Sequence, residues 1–135
     1  MNILVIDGQG GGVGRQLVAS IKASIPRAVV TAVGTNSSAT AAMLKAGADN
    51  AVTGENAVVV GCRKADVIVG PVGIVIADSL LGEITPAMAV AIGQSDAKRV
   101  LIPVNQCDNI IVGVPDLSLT KLIQNTIEKI QSFTN

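Results

Sequence analysis

Residues 2–17, NILVIDGQGGGVGRQL, constrain the fold more than any other stretch of the chain. An apolar run from Ile3 to Ile6 is stopped by Asp7. Five glycines then fall within residues 8–14, and Val13 and Leu17 follow at helical spacing. That order reads strand, tight glycine turn, helix. Such a turn aims the helix N-terminus, with its unpaired N–H groups and positive dipole end, at the mouth of the sheet, where an anion is the natural occupant. Glycine suits the turn because a Cβ would block close approach of a ligand or of the helix to the strand, and because some positions want φ > 0. The plainer alternative is that the glycines serve helix–strand packing alone. Their place directly after a first strand and at the opening of a helix favours ligand binding.

The spacing of Gly8, Gly12 and Gly14 resembles GxxxGxG, the short-chain dehydrogenase form of the Rossmann fingerprint. It is not GxGxxG, because Val13 stands three after Gly10 and Arg15 three after Gly12. A phosphate-binding P-loop fits worse, since its Lys and hydroxyl positions hold Arg15 and Gln16. The resemblance implies cofactor contacts from Gly8, Gln9, Gly10, Gly11, Gly12, Val13, Gly14 and Arg15, with Gly10 to Val13 under a pyrophosphate. It implies Gly70, Pro71, Val72 and Gly73 beside the ribose and adenine. In the NAD-preferring pattern an acid ends the second strand and holds the ribose hydroxyls. This chain has Thr35, Asn36 and Ser37 there. With Arg15, those neutral donors would receive a 2′-phosphate, which tilts the expectation towards NADP while leaving NAD open. The same residues serve equally well as a helix cap.

The dehydrogenase chemistry of that family depends on a Tyr and Lys pair, and this chain contains no Tyr and no His, so that mechanism is excluded. The remaining proton-transfer candidates are Asp7, Glu55, Asp78, Glu83, Lys64 and Cys107. Asp7, at the end of a buried strand, has two readings. One is a desolvated carboxylate with a raised pKa, and the other a turn-stabilising Asp bonded to neighbouring N–H groups. Glu55 is explained without function by the preference of acids for a helix first turn.

At 135 residues the chain fits one domain, 1–135, able to bury about two thirds of its unfolded surface. Its apolar share of 49 % is almost wholly Ala, Val, Ile and Leu, with Phe133 the one aromatic, which suits parallel strands covered by helices on both faces. Ten basic residues balance ten acidic ones and no basic cluster or aromatic platform is present, so no nucleic acid partner is expected. No apolar run approaches a membrane span and no signal segment leads the chain, so the expectation is a cytoplasmic protein without a membrane partner. Two cysteines, Cys62 and Cys107, and no His argue against metal; both read as reduced thiols, with reactivity at Cys107 a minor alternative.

Pattern and punctuation predict helices from the glycine turn to about Ser24, from Ser38 to Ala46, from Gly54 to Lys64, from Pro86 to about Gln94 and from Leu117 to Ser132. Strands are predicted at 3–6, 29–33, 49–53, 66–69 and 99–104. A sixth, Ile110–Val114, follows too closely for a parallel crossover and is expected as an antiparallel edge. The whole is an α/β, Rossmann-like doubly wound, mostly parallel sheet with order near 3-2-1-4-5-6 and polar loops gathered at one crevice. Leu80 and Leu81 read as exposed. GQGGGVG, GTNSSATAAMLKAGA, TGENA, VGPVGI and GEITP together resemble a family of small stand-alone bacterial Rossmann-like proteins of unassigned function. That implies nucleotide binding at these loops but no activity. Three readings follow: a nucleotide-binding module for NADP or NAD without chemistry of its own; a small enzyme using Asp7 or Glu55 with a partner chain; or an interaction subunit whose glycine turn is structural. A missing substrate domain and the two leucines point to a homodimer.

Overall fold

The computed structural model describes residues 1–104 and 108–134. Strands β1 (Asn2–Asp7), β2 (Val29–Gly34), β3 (Asn50–Thr53), β4 (Val67–Pro71) and β5 (Lys98–Ile102) form one sheet. All pairings are parallel, in the order β3-β2-β1-β4-β5. Helices α1 (Gly12–Ser24), α2 (Ser37–Lys45), α3 (Glu55–Lys64), α4 (Pro86–Gln94) and α5 (Leu119–Ser132) make the crossovers and covers, and a short 3-10 turn, Val72–Val75, follows β4. This is a doubly wound α/β architecture, consistent with a Rossmann-like fold.

The strands sort their side chains to two faces with period two. Ile3 and Val5 join Val30, Ala32, Val67 and Val69 beneath α1, α2 and α5, whose Leu17, Ile21, Met43, Ile123 and Ile127 are buried there. Leu4 and Ile6 join Val33 and Ile68 on the other face, against Val58 and Cys62 of α3 and Met88 and Ile92 of α4. Both faces of β1 are therefore core. The segment 54–64, valine-rich yet needed as a crossover, is helical as the connection length requires.

Three expectations are corrected. Ile110–Val114 is irregular, with a turn at Val112 and Gly113, and forms no sixth strand among the described residues. A tight turn around Pro103, in which Val104 N–H donates to the Ile102 carbonyl at 2.8 Å, takes the chain off the sheet. Asp108 and Gly113 then adopt left-handed φ of 65° and 84°. Ile110 and Val112 stand 89 % and 93 % exposed, without the one-sided burial an edge strand requires. Leu80 is fully buried in the second core cluster, and only Leu81, 97 % exposed, faces solvent. Gly70 and Pro71, read as loop, are the last two residues of β4, paired with Leu101 and Ile102.

Candidate functional site at the glycine turn

Strand β1 ends at Asp7, and Gly8–Gly11 turn the chain into α1 at the C-terminal edge of the sheet, between β2 and β4 where the strand order reverses. Gly11 is at the N-cap position with φ 72°. A Cβ there would lie 2.9 Å from Ala39 Cα, so position 11 admits only glycine without displacing α2. Having no side chain, Gly11 cannot cap α1. Asp7 does so from the preceding strand: Gly14 N–H donates to Asp7 Oδ2 at 2.6 Å and Gly8 N–H to Oδ1 at 2.8 Å. Asp7 is 3 % exposed. Burial pushes its pKa above the usual carboxylate value, the Gly14, Gly8 and Val13 amides pull against that, and the charge of Glu83 adds to it. With both oxygens engaged, Asp7 holds the turn to the helix.

A second carboxylate sits above the turn. Glu83 Oε1 accepts from Thr35 Oγ1 at 2.7 Å, Asn36 Nδ2 at 2.6 Å and Gln9 N–H at 3.1 Å, whereas Oε2 has only a 3.2 Å bond from the same Gln9 N–H. Desolvation raises the Glu83 pKa, but the bonds from Thr35, Asn36 and Gln9 outweigh it and hold the group below the usual glutamate value. Asn36 is the N-cap of α2, accepting from Ala39 N–H at 2.9 Å, and its Nδ2 also donates to the Gln9 carbonyl at 2.9 Å. Thus one asparagine caps a helix and ties the β2 tip to the glycine turn.

The loop that delivers Glu83 is strained. Asp78, Leu80 and Leu81 adopt φ of 66°, 55° and 57°, and Gly82 one of 91°. Left-handed backbone costs a bulky L-residue about 1–2 kcal/mol and persists only where its surroundings over-determine it. Here Leu80 is anchored in the core, Asp78 N–H donates to the Ile84 carbonyl at 2.7 Å, and Ser79 Oγ donates to the Gly73 carbonyl.

Not all of the turn is occupied. Gly10 and Gly12 are exposed, and a Cβ on either would meet nothing within 4 Å. Their N–H groups have no partner among the described residues, so bare main chain at the N-terminus of α1 remains open to an anion. Arg15 is exposed on the first turn of α1 and Ser37 on that of α2. Gly70, Pro71 and Gly73 are buried, and Val72 is half-buried. Glu55 lies apart from the turn, accepting from Thr85 Oγ1 at 2.6 Å, and Thr85 in turn caps α4 through Met88 N–H. Cys107 and most of the Asn105–Asn109 loop lie outside the described residues. Among the described residues no group of three or more His, Cys, Asp and Glu could hold a metal ion, and no helix is long and apolar enough to cross a membrane.

The family model described as Domain of unknown function (DUF3842) matches residues 2–135. The chain belongs to the DUF3842 family. No curated protein and no solved structure matches it. The candidate site of the DUF3842 domain rests on its geometry. Of the residues marked from sequence, the structure gathers Asp7, Gly8 to Gly14, Thr35 and Asn36. Glu83, carried from sequence only as a proton-transfer candidate, joins them as the acceptor that Thr35, Asn36 and Gln9 share. Nothing in GEITP signals that its acid folds back over the tip of β2, because that placement depends on the left-handed loop before it.

Proposed function

We propose that this domain binds a nucleotide through the glycine turn and has no dehydrogenase chemistry of its own. The supporting observation is the pair of side-chain-free, unpartnered amides at Gly10 and Gly12, on the positive end of α1 at the strand-order switch. A phosphate on those amides directs the attached ribose along the turn towards Gln9 and Glu83. Oε2, with a single long bond, accepts from the ribose hydroxyls. An ionised carboxylate there repels a 2′-phosphate, and Thr35 and Asn36, the donors expected to receive that phosphate, are already spent on Glu83. The preference is therefore for NAD(H) over NADP(H), the reverse of the tilt drawn from the sequence. What reverses it is an acid brought to the end of β2 from a loop 48 residues later than Thr35.

Titration of NADH and NADPH, followed by cofactor fluorescence, tests the reading. With no Trp or Tyr in the chain, protein background is minimal. NADH is expected to bind at least about tenfold more tightly than NADPH, a difference of about 1.4 kcal/mol. Glu83→Gln should narrow that ratio, and Gly12→Asp, an acid at an open helix start, should abolish binding while the protein stays folded. A second reading, a turn that is structural only, is favoured by the capture of the Gly8, Gln9 and Gly14 amides by the protein's own carboxylates. Absence of binding by NADH, NADPH and a panel of mononucleotides at millimolar concentration would establish it.

A further inference from the structure

One side of the sheet's C-terminal edge is closed by the chain's own segment 72–85. After β4 the chain makes the 3-10 turn Val72–Val75, which buries Gly73 and Ile74. It then runs back across the tips of the neighbouring strands. Ser79 Oγ donates to the Gly73 carbonyl at the β4 end. Leu80 lies against the tip of β1, where a Cβ at Gly8 would stand 3.1 Å from Leu80 Cδ1. Glu83 reaches Thr35 just past β2, and Thr85 reaches Glu55 at the start of α3. Segment 72–85 is thus a strap over the ends of β4, β1 and β2. Its Ile74, Leu80 and Ile84 join the core cluster of Leu4 and Ile6, so it belongs to the face covered by α3 and α4.

The strap decides where a sugar and base have room. Gly70, Pro71, Val72 and Gly73, which the Rossmann resemblance sets beside the ribose and adenine, are covered: three are buried and Val72 is half-buried. Gly70 is also pressed onto β1, where a Cβ would collide with the Ile6 carbonyl, so the gap between β1 and β4 admits no sugar ring. The α1 side is different. Gln9, Gly10 and Gly12 are exposed, and Glu83 Oε2, with its single 3.2 Å bond, keeps acceptor capacity beside Gln9. Gln9 and Gly12 are three residues apart, a span of at most about 11 Å, which one nucleoside and its phosphates fill.

We infer, resting on the nucleotide reading above, that the site grips a single 5′-phosphorylated ribonucleoside, so that a dinucleotide is held by its adenosine half alone. That half carries the extra phosphate of NADP on its ribose and is therefore the one that Glu83 reads. Phosphate lies on the Gly10 and Gly12 amides, and the sugar hydroxyls donate to Glu83 Oε2. The nicotinamide nucleoside extends into water, because the strap and the packed ends of β1 and β4 close the direction away from β2. ADP then carries every group that the site recognises. A nicotinamide left in water also has no substrate bed beside it, which agrees with a domain without hydride transfer.

Isothermal titration calorimetry of the full chain with NAD, ADP-ribose, ADP and 2′-deoxy-ADP is the test. ADP and ADP-ribose are expected to bind within about threefold of NAD. 2′-Deoxy-ADP, short of one hydroxyl for Glu83, should bind about five- to tenfold more weakly than ADP, and Glu83→Gln should shrink that difference. Bound NADH should gain anisotropy while keeping the emission maximum of the free cofactor. NAD at least about tenfold tighter than ADP, or a blue-shifted NADH emission, overturns the inference and leaves the nucleotide reading standing. Equal binding of ADP and 2′-deoxy-ADP overturns it as well, by removing the sugar from Glu83. If none of the four ligands binds at millimolar concentration, the nucleotide reading itself fails and the inference falls with it.

Discussion

Gly14→Ala and Gly12→Ala differ by two positions on one helix and should move stability in opposite directions. A Cβ at Gly14 would lie 2.6 Å from Met43 Sδ, 2.8 Å from Asp7 Cβ and 3.1 Å from Asp7 Oδ2. Carbon contacts are comfortable at about 3.5–4.0 Å. Met43 is fully buried, and Asp7 ends a strand whose register is fixed by both neighbours, so neither yields easily. The first turn of α1 must therefore retreat by about 1 Å, stretching the 2.6 Å bond from Gly14 N–H to the buried Asp7 carboxylate. Overpacking costs about 1–3 kcal/mol, and weakening a hydrogen bond to a charged acceptor costs up to about 1.5–3 kcal/mol. Better helix propensity returns about 1 kcal/mol. The net expectation is a loss of roughly 2–4 kcal/mol. At Gly12 the added methyl meets nothing, and the variant should gain up to about 1 kcal/mol from reduced unfolded-state freedom. Urea denaturation followed by far-UV circular dichroism reads both, since the chain has no Trp for fluorescence. A Gly14→Ala protein as stable as the wild type would refute the tight junction of Asp7, α1 and α2.

Asn36→Ala removes the N-cap of α2 and two Nδ2 bonds, to the Gln9 carbonyl and Glu83; a loss of about 1–2 kcal/mol in the same denaturation assay is expected. The Glu83 pKa is lower folded than unfolded, so its stabilising contribution is complete above the ordinary value of 4.5 and disappears as pH falls through the folded value. Subtracting the Glu83→Gln stability profile from that of the wild type between pH 3 and 7 should isolate that acid loss, and a flat difference would contradict it. Asp7 acts oppositely, its pKa being raised, so its penalty grows as pH rises above 3.8 and should be missing from the Asp7→Asn profile. Burial pushes the Cys62 thiol up to about 11. In a Cys107→Ser background a thiol reagent at pH 8 should label nothing until urea is added.

Most of the architecture was written in local patterns. The β1 run, the glycine turn, the Thr85–Pro86 helix start and the apolar stripe of α5 each declare their element within a few residues. The failures are where tertiary context decided. Ile110–Val114 has strand composition, but the turn at Pro103 and left-handed residues at 108 and 113 deny it a partner. Leu80 and Leu81 are identical in sequence terms, and only the twist of their loop sends one to the core and the other to solvent. The site divides the same way. The glycine cradle follows from spacing, whereas Glu83 is brought to Thr35 by three non-glycine left-handed residues that no propensity rule anticipates.

The most direct measurement is a two-dimensional amide NMR titration of the 15N-labelled chain with NAD. Binding by bare main chain at the start of α1 predicts the largest shifts at Gly10 and Gly12, with Gln9 and Thr35 next and the α1–α5 face unmoved. Saturating NAD that leaves the Gly10 and Gly12 amides in place, or that shifts only residues elsewhere, would contradict it.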